Sequence, residues 1–362
     1  MTELAPLRAT CHLAIAFEIG SGIDLDACDR HLERATRQRA GSGRRVPSNF
    51  EYRPPPLRIG IELVGLALPG LTPHHGEIVL FDFGAASVSY QFTVSGPLGH
   101  LAAVSDSLQG NSSLENDARQ RLIALMPTLG TAISKPRMAE LVEDYLTVVI
   151  DPASVGCEPS NLIADRATEL AQILRGAGQA LSADEIGEAL AERLSFSTAD
   201  LTLVDWNAAI IIDPEPDEAR VLMEFANVQL LELRHLDGQL DRALERAYQT
   251  LAATEKKVVA RLRPPTGALQ LLSELQMDAA VLFERVSSAV KLVGDQFLGR
   301  LYLSLSRRFH FEAWDRAISR KLDVLDGIYQ KVGDRVTARR LEALEWIVII
   351  LIAIELVVGL IH

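Results

Sequence analysis

Apolar and polar residues alternate with a period of two in several short runs of the first 215 residues, a pattern typical of β-strands. Other runs place apolar residues three or four positions apart, as amphipathic helices do. The strand-like runs are 11–17, 57–68, 77–84, 86–94, 145–150, 201–205 and 207–212, and the helix-like runs are 24–39, 115–125, 161–175 and 183–194. We therefore expect an α+β domain over residues 1–215, in which the Gly-, Arg- and Pro-rich stretch 41–56 is a flexible loop.

Strand-like patterns stop near Asp217, and long helical patterns follow. Leucines recur at alternating three- and four-residue spacing from Leu230 to Leu251. A second, heptad-like stripe comprises Ile318, Leu322, Leu325, Tyr329, Val332 and Val336. Residues 216–345 are therefore predicted to form a helical, coiled-coil-like stalk. One narrow apolar stripe on so long a helix favours self-association into a homo-oligomer.

The last segment is the most apolar part of the chain. Residues 346–361 contain twelve Leu, Ile or Val side chains and a single charge, Glu355. On an insertion scale the apolar gain outweighs one carboxylate, so the segment is predicted to be one C-terminal transmembrane helix. The alternative is a wholly buried helix in a soluble oligomer. The side chains assigned to the membrane anchor are Trp346, Ile350, Ile354 and Val358.

The flanking charges predict the orientation of this segment. The juxtamembrane residues Arg335, Arg339 and Arg340 precede it, and only His362 follows it. By the positive-inside tendency, the large N-terminal part should face the cytoplasm. The sequence thus predicts a single-pass, tail-anchored protein of the inner (cytoplasmic) membrane.

One face of the same helix carries a carboxylate. At 100° per residue this face collects Glu345, Ile352, Glu355 and Gly359. Because a carboxylate is costly against lipid, the face is predicted to meet other copies of the chain or a wet cavity. A protonated or snorkelling Glu355 is the alternative.

The charge of the chain is unevenly distributed. It has 36 basic and 48 acidic side chains and a net charge of −12, which argues against a general nucleic-acid binder. Arginines nonetheless concentrate between residues 29 and 58. Within them, Arg30, Arg34, Arg44 and Arg45 form a candidate basic contact patch for RNA or anionic lipid headgroups. The alternative is a solvated surface that balances the acidic middle of the chain.

Enzyme motifs are absent from the sequence. It contains no GxxxxGK[ST], no GxSxG and no HExxH, and Gly20-Ser21-Gly22 is not a dinucleotide fingerprint. The three cysteines are scattered, and the run 74–77 (HHGE) is typical of a polar turn rather than a metal site. We therefore predict no enzymatic activity, no catalytic residue, no cofactor and no bound metal.

The C-terminal region carries a motif of aromatic, charged and aliphatic positions. Its members are Trp314, Lys321, Leu322, Leu325, Ile328, Tyr329, Arg339, Arg340, Glu342, Leu344, Glu345, Trp346 and Glu355. Together with the weaker segments 79–90, 203–211 and 290–302, this motif resembles the required-for-meiotic-nuclear-division protein family. That family is a domain of unknown function shared by fungal sporulation proteins, a mitochondrial inner-membrane protein and many bacteria. The resemblance implies a bacterial relative that is a membrane-anchored homo-oligomer without known enzymatic activity. The mitochondrial member supports organellar translation.

These observations favour a scaffold or tethering protein. We expect a homo-oligomer that presents its N-terminal domain to a protein or to ribosome or RNA partners, with the membrane as a further partner and no small-molecule substrate. The alternative is a cation channel, because an α/β domain, a long stalk and a C-terminal membrane segment are similar to the architecture of CorA-type channels. In that alternative Glu355 would lie near the pore of an oligomer.

Overall fold

An eight-stranded sheet is the largest element of the structure. The structure is a computed structural model, and it describes residues 6–36, 54–63, 65–66, 68–256 and 296–361. In this described part the strands are β1 (Leu7–Glu18), β2 (Gly22–Ile23), β3 (Leu57–Gly60), β4 (His75–Leu80), β5 (Ala85–Gly96), β6 (Ile133–Ser134), β7 (Val142–Ile150), β8 (Arg193–Leu194), β9 (Leu201–Val204) and β10 (Ala208–Ile212). The order in the sheet is β3-β4-β5-β1-β7-β10-β9-β8, and β2 pairs separately with β6. Neighbouring strands are antiparallel except for β7 and β10, which run parallel.

Helices flank this sheet and make up most of the rest of the described chain. The described helices are α1 (Leu25–Thr36), α2 (Leu98–Leu108), α3 (Ser112–Leu129), α4 (Pro152–Val155), α5 (Pro159–Arg175), α6 (Ala183–Ala189), α7 (Asp217–Lys256), α8 (Gln296–Arg308) and α9 (Phe311–Ile361). The chain divides into two units. The first comprises the described parts of Met1–His235 and Glu284–Glu312, and the second those of Leu236–Phe283 and Ala313–His362.

The hydrophobic core of the first unit lies between one face of the sheet and helices α2, α3 and α5. Alternate positions of β1, such as Leu13 and Phe17, point into it. Because side chains alternate along a strand, the neighbouring strands contribute Val88, Phe92 and Val148 to the same face. Burial of each such side chain stabilises the fold by about 1.5–3 kcal/mol.

The opposite face of the sheet is built from small and polar side chains. Ala14 and Ala16 of β1 lie beside Ser89 and Ser87 of β5. Helix α7 packs on this face, and every side chain of its residues 219–229 is buried. Small residues on the sheet allow the close approach of the helix, and the polar side chains of the helix are consequently buried with it.

Most of the strands and helices expected in the first 215 residues have counterparts with shifted ends. The expected strand 57–68 is shorter, since β3 ends at Gly60 and Gly65 has a φ of +82°. Helix α2 has no predicted counterpart. Its Leu98, Leu101 and Leu108 do follow helical spacing, but intervening Ala and Ser residues weaken the pattern.

In the second unit the later part of α7 and the stripe of α9 are tied by an ion pair. Lys321 Nζ lies 2.7 Å from Asp237 Oδ1 and 2.6 Å from Asp241 Oδ1. Burial alone would lower the pKa of Lys321, but the two carboxylates raise it. Ile318 and Leu325 of the predicted heptad stripe are fully buried. This part of the stripe therefore packs within the chain rather than against another copy.

The predicted membrane anchor is contradicted by the structure. Among the described residues, no helix has a stretch that is both long and apolar enough to cross a membrane. Residues 346–361 are the final turns of α9, a 51-residue helix. The transmembrane part of the fold class, the tail-anchored assignment and the single-pass inner-membrane localisation are corrected accordingly.

Gly84 sits at a turn where no other residue fits. Its φ is +117°, and a Cβ there would lie 2.0 Å from the backbone oxygen of Gly20. Because the obstacle is backbone, we expect Gly84→Ala to lower the free energy of unfolding by roughly 2 kcal/mol or more, measured by urea unfolding.

The matched control is Gly187→Ala in α6, where an added Cβ meets nothing within 4 Å. This variant should be more stable than the parent by about 0.5 kcal/mol, because alanine favours helix. Equal stability of the two variants would contradict the crowding at Gly84.

Candidate functional site

Five glutamates are buried where α7 meets the polar face of the sheet, and we call them the carboxyl cluster. They come from β1, β4, β7 and α7, and are Glu18, Glu77, Glu143, Glu224 and Glu232. Burial of a carboxylate without a partner costs several kcal/mol, so each one needs a cation, a hydrogen bond or a proton. The chain meets this need in three different ways.

Arg58 neutralises two members of the cluster at the β3 edge of the sheet. Its Nη1 lies 2.8 Å from Glu77 Oε1, and its Nη2 lies 3.4 Å from Glu224 Oε2. Ser87 Oγ donates a hydrogen bond to Glu224 Oε1 at 2.8 Å. Arg58 can reach both carboxylates because β3 lies next to β4 and points the arginine toward the face that α7 covers.

Glu143, on β7, is paired with Arg234 of α7. Asn227 Nδ2 donates to the backbone carbonyl of Glu143 at 3.1 Å and fixes the helix against this strand. Burial raises the pKa of Glu143 to about 7, although Arg234 opposes the shift. This carboxyl group therefore titrates near neutral pH.

Glu18 and Glu232 have no basic partner in the described part of the chain. Burial raises the pKa of Glu18 to about 7. Burial also raises the pKa of Glu232 well above its ordinary value, and the adjacent Glu18 raises it further. Apart from Glu18, neither oxygen of Glu232 has a hydrogen-bond partner among the described residues. A proton between the two carboxyls satisfies both, so the pair holds a proton at neutral pH.

The chemistry open to this pair is limited by its burial. Two carboxyls that share a proton are suited to acid–base work, but Glu18 is 7% and Glu232 1% exposed. No group of three or more His, Cys, Asp or Glu among the described residues is placed to hold a metal ion. The cluster can hold and release protons, and its carboxyls are shielded from a substrate.

A separate buried carboxylate, Asp205, directly follows β9 and forms ion pairs with two arginines. Arg175 Nε lies 2.8 Å from its Oδ2, and Arg308 Nε lies 3.7 Å from its Oδ1. Tyr145 donates to the backbone oxygen of Asp205 at 2.9 Å, and the Arg175 guanidinium lies 5.8 Å from the centre of the Trp206 ring. Burial raises the pKa of Asp205 to about 6 despite both arginines. The network joins α5 and α8 to the end of the sheet.

Most of the predicted basic patch lies outside the described part of the chain. Arg30 is exposed on α1. Arg34 belongs to the same helix, but its side chain lies outside the described part. Arg44 and Arg45 lie outside the described residues altogether, as do residues 41–53 of the predicted loop. Contact of this patch with RNA stays a prediction.

The predicted C-terminal residues all belong to α9. Those whose side chains are described, all of them exposed, are Glu345, Trp346, Ile350, Ile352 and Ile354. Side chains outside the described part are those of Arg335, Arg339, Arg340, Glu355, Val358 and Gly359. The membrane-anchor role of these residues depended on the membrane span and is dropped with it. An oligomer contact on the face with Glu345 and Ile352 stays a prediction.

No motif marks the carboxyl cluster in the sequence, although each central member leaves a weak signal. Glu18 directly follows the strand-like run 11–17, and Glu232 stands between Leu231 and Leu233. A charged residue within an apolar pattern indicates a buried partner. The identity of the partner depends on where α7 packs on the sheet, which the pattern does not contain.

The fold and the cluster define a class of mixed α/β protein in which a charged helix is buried on the polar face of one large sheet. The chain belongs to the family described as "Uncharacterized protein MJ0711, N-terminal domain", which it matches over residues 8–218. One relative, "Uncharacterized protein MJ0711" of Methanocaldococcus jannaschii, is 26% identical over 205 residues. The alignment covers 56% of this chain and 62% of the relative, less than two thirds of its length. No solved structure matches the chain significantly.

The family match divides the carboxyl cluster. Residues 8–218 hold the sheet and end just inside α7, so they include Glu18, Glu77 and Glu143. Glu224 and Glu232 lie beyond the matched residues. The strand half of the cluster is therefore in the family domain, and the helix half follows it.

The carboxyl cluster makes stability depend on pH in a definite direction. The pKa of Glu18 and that of Glu143 are about 7 in the folded chain, above the ordinary value of 4.5. Between these values the folded chain binds more protons than the unfolded chain, so stability falls as pH rises. We expect the free energy of unfolding to drop by on the order of 2 kcal/mol from pH 5 to pH 8, measured by urea unfolding.

Substitution of Glu232 tests whether the shared proton causes this pH dependence of the free energy of unfolding, which we call the pH slope. Glu232→Gln removes the shared proton but keeps a donor for Glu18, so the loss of stability toward pH 8 should become smaller. The exposed Glu140→Gln is the matched control and should keep the parental pH slope. An unchanged pH slope in Glu232→Gln would contradict the shared proton.

Proposed function

We propose that this protein is a homo-oligomeric scaffold that presents its mixed α/β domain to a protein partner and catalyses no reaction. One observation carries this proposal, the apolar surface of α9 between residues 341 and 354, which we call the α9 apolar segment. Ten large apolar side chains of the segment are each 52–65% exposed in the single chain. Contiguous apolar surface of this extent marks an interaction site.

The α9 apolar segment has no polar side over most of its length. Residues 346–352 are seven consecutive large apolar residues, about two helical turns, so apolar side chains point in every direction around the axis. Identical segments of other copies match it in length and chemistry. Their association would remove apolar surface from water at about 25 cal/mol per Å².

The resemblance of residues 307–358 to the required-for-meiotic-nuclear-division family supports the same proposal, because it implies a homo-oligomer without known enzymatic activity. The family match over residues 8–218 does not reach this stretch. We propose this relationship as the finer assignment of the chain. The CorA-type channel is not retained, since it requires the membrane span that the structure contradicts.

Removal of the α9 apolar segment tests self-association. The full chain should be an oligomer by sedimentation equilibrium at micromolar concentration. A chain that ends at Arg340 should be a monomer whose circular dichroism spectrum still shows the β-strand signal of the first unit. A milder variant, Leu344→Ser/Ile347→Ser/Leu351→Ser, should weaken association by at least about tenfold.

The matched control is Val324→Ser, on the same helix, which changes a side chain that is 43% exposed outside the segment. It should associate like the parent. A monomeric full chain, or an oligomer that persists after truncation, would overturn the proposed function.

A further inference from the structure

A phenylalanine is held in solvent by a tightly bonded loop between β8 and β9. Phe196 is 82% exposed, the largest exposure among the large apolar side chains described. The Asp200 carboxylate accepts hydrogen bonds from Phe196 N–H at 2.8 Å, from Ser197 N–H at 2.5 Å and from Ser197 Oγ at 2.7 Å. Ser195 Oγ donates to the Asp200 backbone oxygen at 3.0 Å.

The charge state of Asp200 agrees with this bonding. Burial alone would raise the pKa of Asp200, but the hydrogen bonds from Phe196 and Ser197 lower it. The carboxylate is therefore ionised at neutral pH and accepts strong hydrogen bonds. The loop backbone is fixed before any partner arrives, so little conformational entropy is lost when Phe196 is covered.

Helix α8 adds an exposed stripe beside this loop. Arg300 Nη2 donates to the Ser195 backbone oxygen at 3.3 Å and brings the stripe next to Phe196. Leu303, 57% exposed, and Arg307, 62% exposed, follow on the same side of the helix. Arg193, on β8, is also exposed. We call these five residues the Phe196 surface.

The Phe196 surface is positively charged on a chain whose net charge is −12. Arg307 binds the Glu192 carboxylate through contacts of 2.7 and 3.0 Å, and the Asp200 carboxylate is taken up by hydrogen bonds within the loop. Arg307 lowers the pKa of Glu192, so this pair is fully ionised at neutral pH. Arg193 and Arg300 remain to meet carboxylates of a partner, and Phe196 and Leu303 supply apolar anchors.

We propose that the Phe196 surface binds an acidic protein segment that carries at least one apolar side chain. This inference rests on the proposed scaffold function and names the chemistry of its partner. The aliphatic Leu303 beside the exposed Phe196 favours a protein segment over RNA, because a protein segment offers apolar side chains to both. Phe196 fills an apolar pocket of the partner, and Arg193 and Arg300 bind its carboxylates.

The experiment selects the ligand and then measures its affinity. A random dodecapeptide library on phage is panned against the immobilised full chain, and the enriched consensus peptide is measured by fluorescence polarisation. We expect Asp or Glu residues around a Leu or aromatic residue. Phe196→Ser and Arg193→Glu/Arg300→Glu should each weaken binding at least about tenfold, and added salt should weaken it further.

Ile123→Ser is the matched control, because Ile123 is an exposed apolar residue of α3 at 45% exposure. It should bind like the parent, and all variants should unfold at the parental urea midpoint. A failure to enrich acidic peptides, or binding that survives Phe196→Ser, overturns the inference. Tighter Phe196-dependent binding of a twelve-nucleotide single-stranded RNA overturns it in favour of nucleic acid. Sedimentation of the same preparations reports separately on the proposed oligomer.

Discussion

The burial of a charged helix against the polar side of a sheet is the constraint on which the rest of the structure depends. Helix α7 has no solvent-facing side over residues 219–229, yet it carries charged and amide groups into the interior. Arg58 and Arg234 neutralise three of the five buried glutamates, and a proton serves Glu18 and Glu232. The stability of this fold therefore depends on the proton held by Glu18 and Glu232 as well as on side-chain packing.

This arrangement separates the interior from the surfaces that remain for recognition. The five buried glutamates are matched by Arg58, Arg234 and a shared proton, and the Asp205 network joins helices to the sheet. In the described part of the chain, two surfaces remain for recognition. The Phe196 surface is small, rigid and charged, which suits reversible binding, whereas the α9 apolar segment is extensive and apolar, which suits permanent assembly.

Patterns along the chain predict local elements better than long-range contacts. The strands β1, β5 and β7 follow from alternating residues, and the long α7 follows from leucine spacing. The parallel pairing of β10 with β7 and the meeting of Glu18 with Glu232 join residues far apart in the sequence, and no periodicity encodes them. The membrane prediction was wrong, since no helix among the described residues is both long and apolar enough to cross a membrane.

The central position of β1 has a consequence for the way the chain folds. This strand lies between β5 and β7, so that Leu7 pairs with Gly96 and Ala9 pairs with Ile150. On the ribosome, one edge of the first strand stays open until more than a hundred further residues have emerged. Pairing over such separations is slow, and an open apolar edge invites other chains. Synthesis of this protein therefore passes through a stage in which a nascent strand needs shielding.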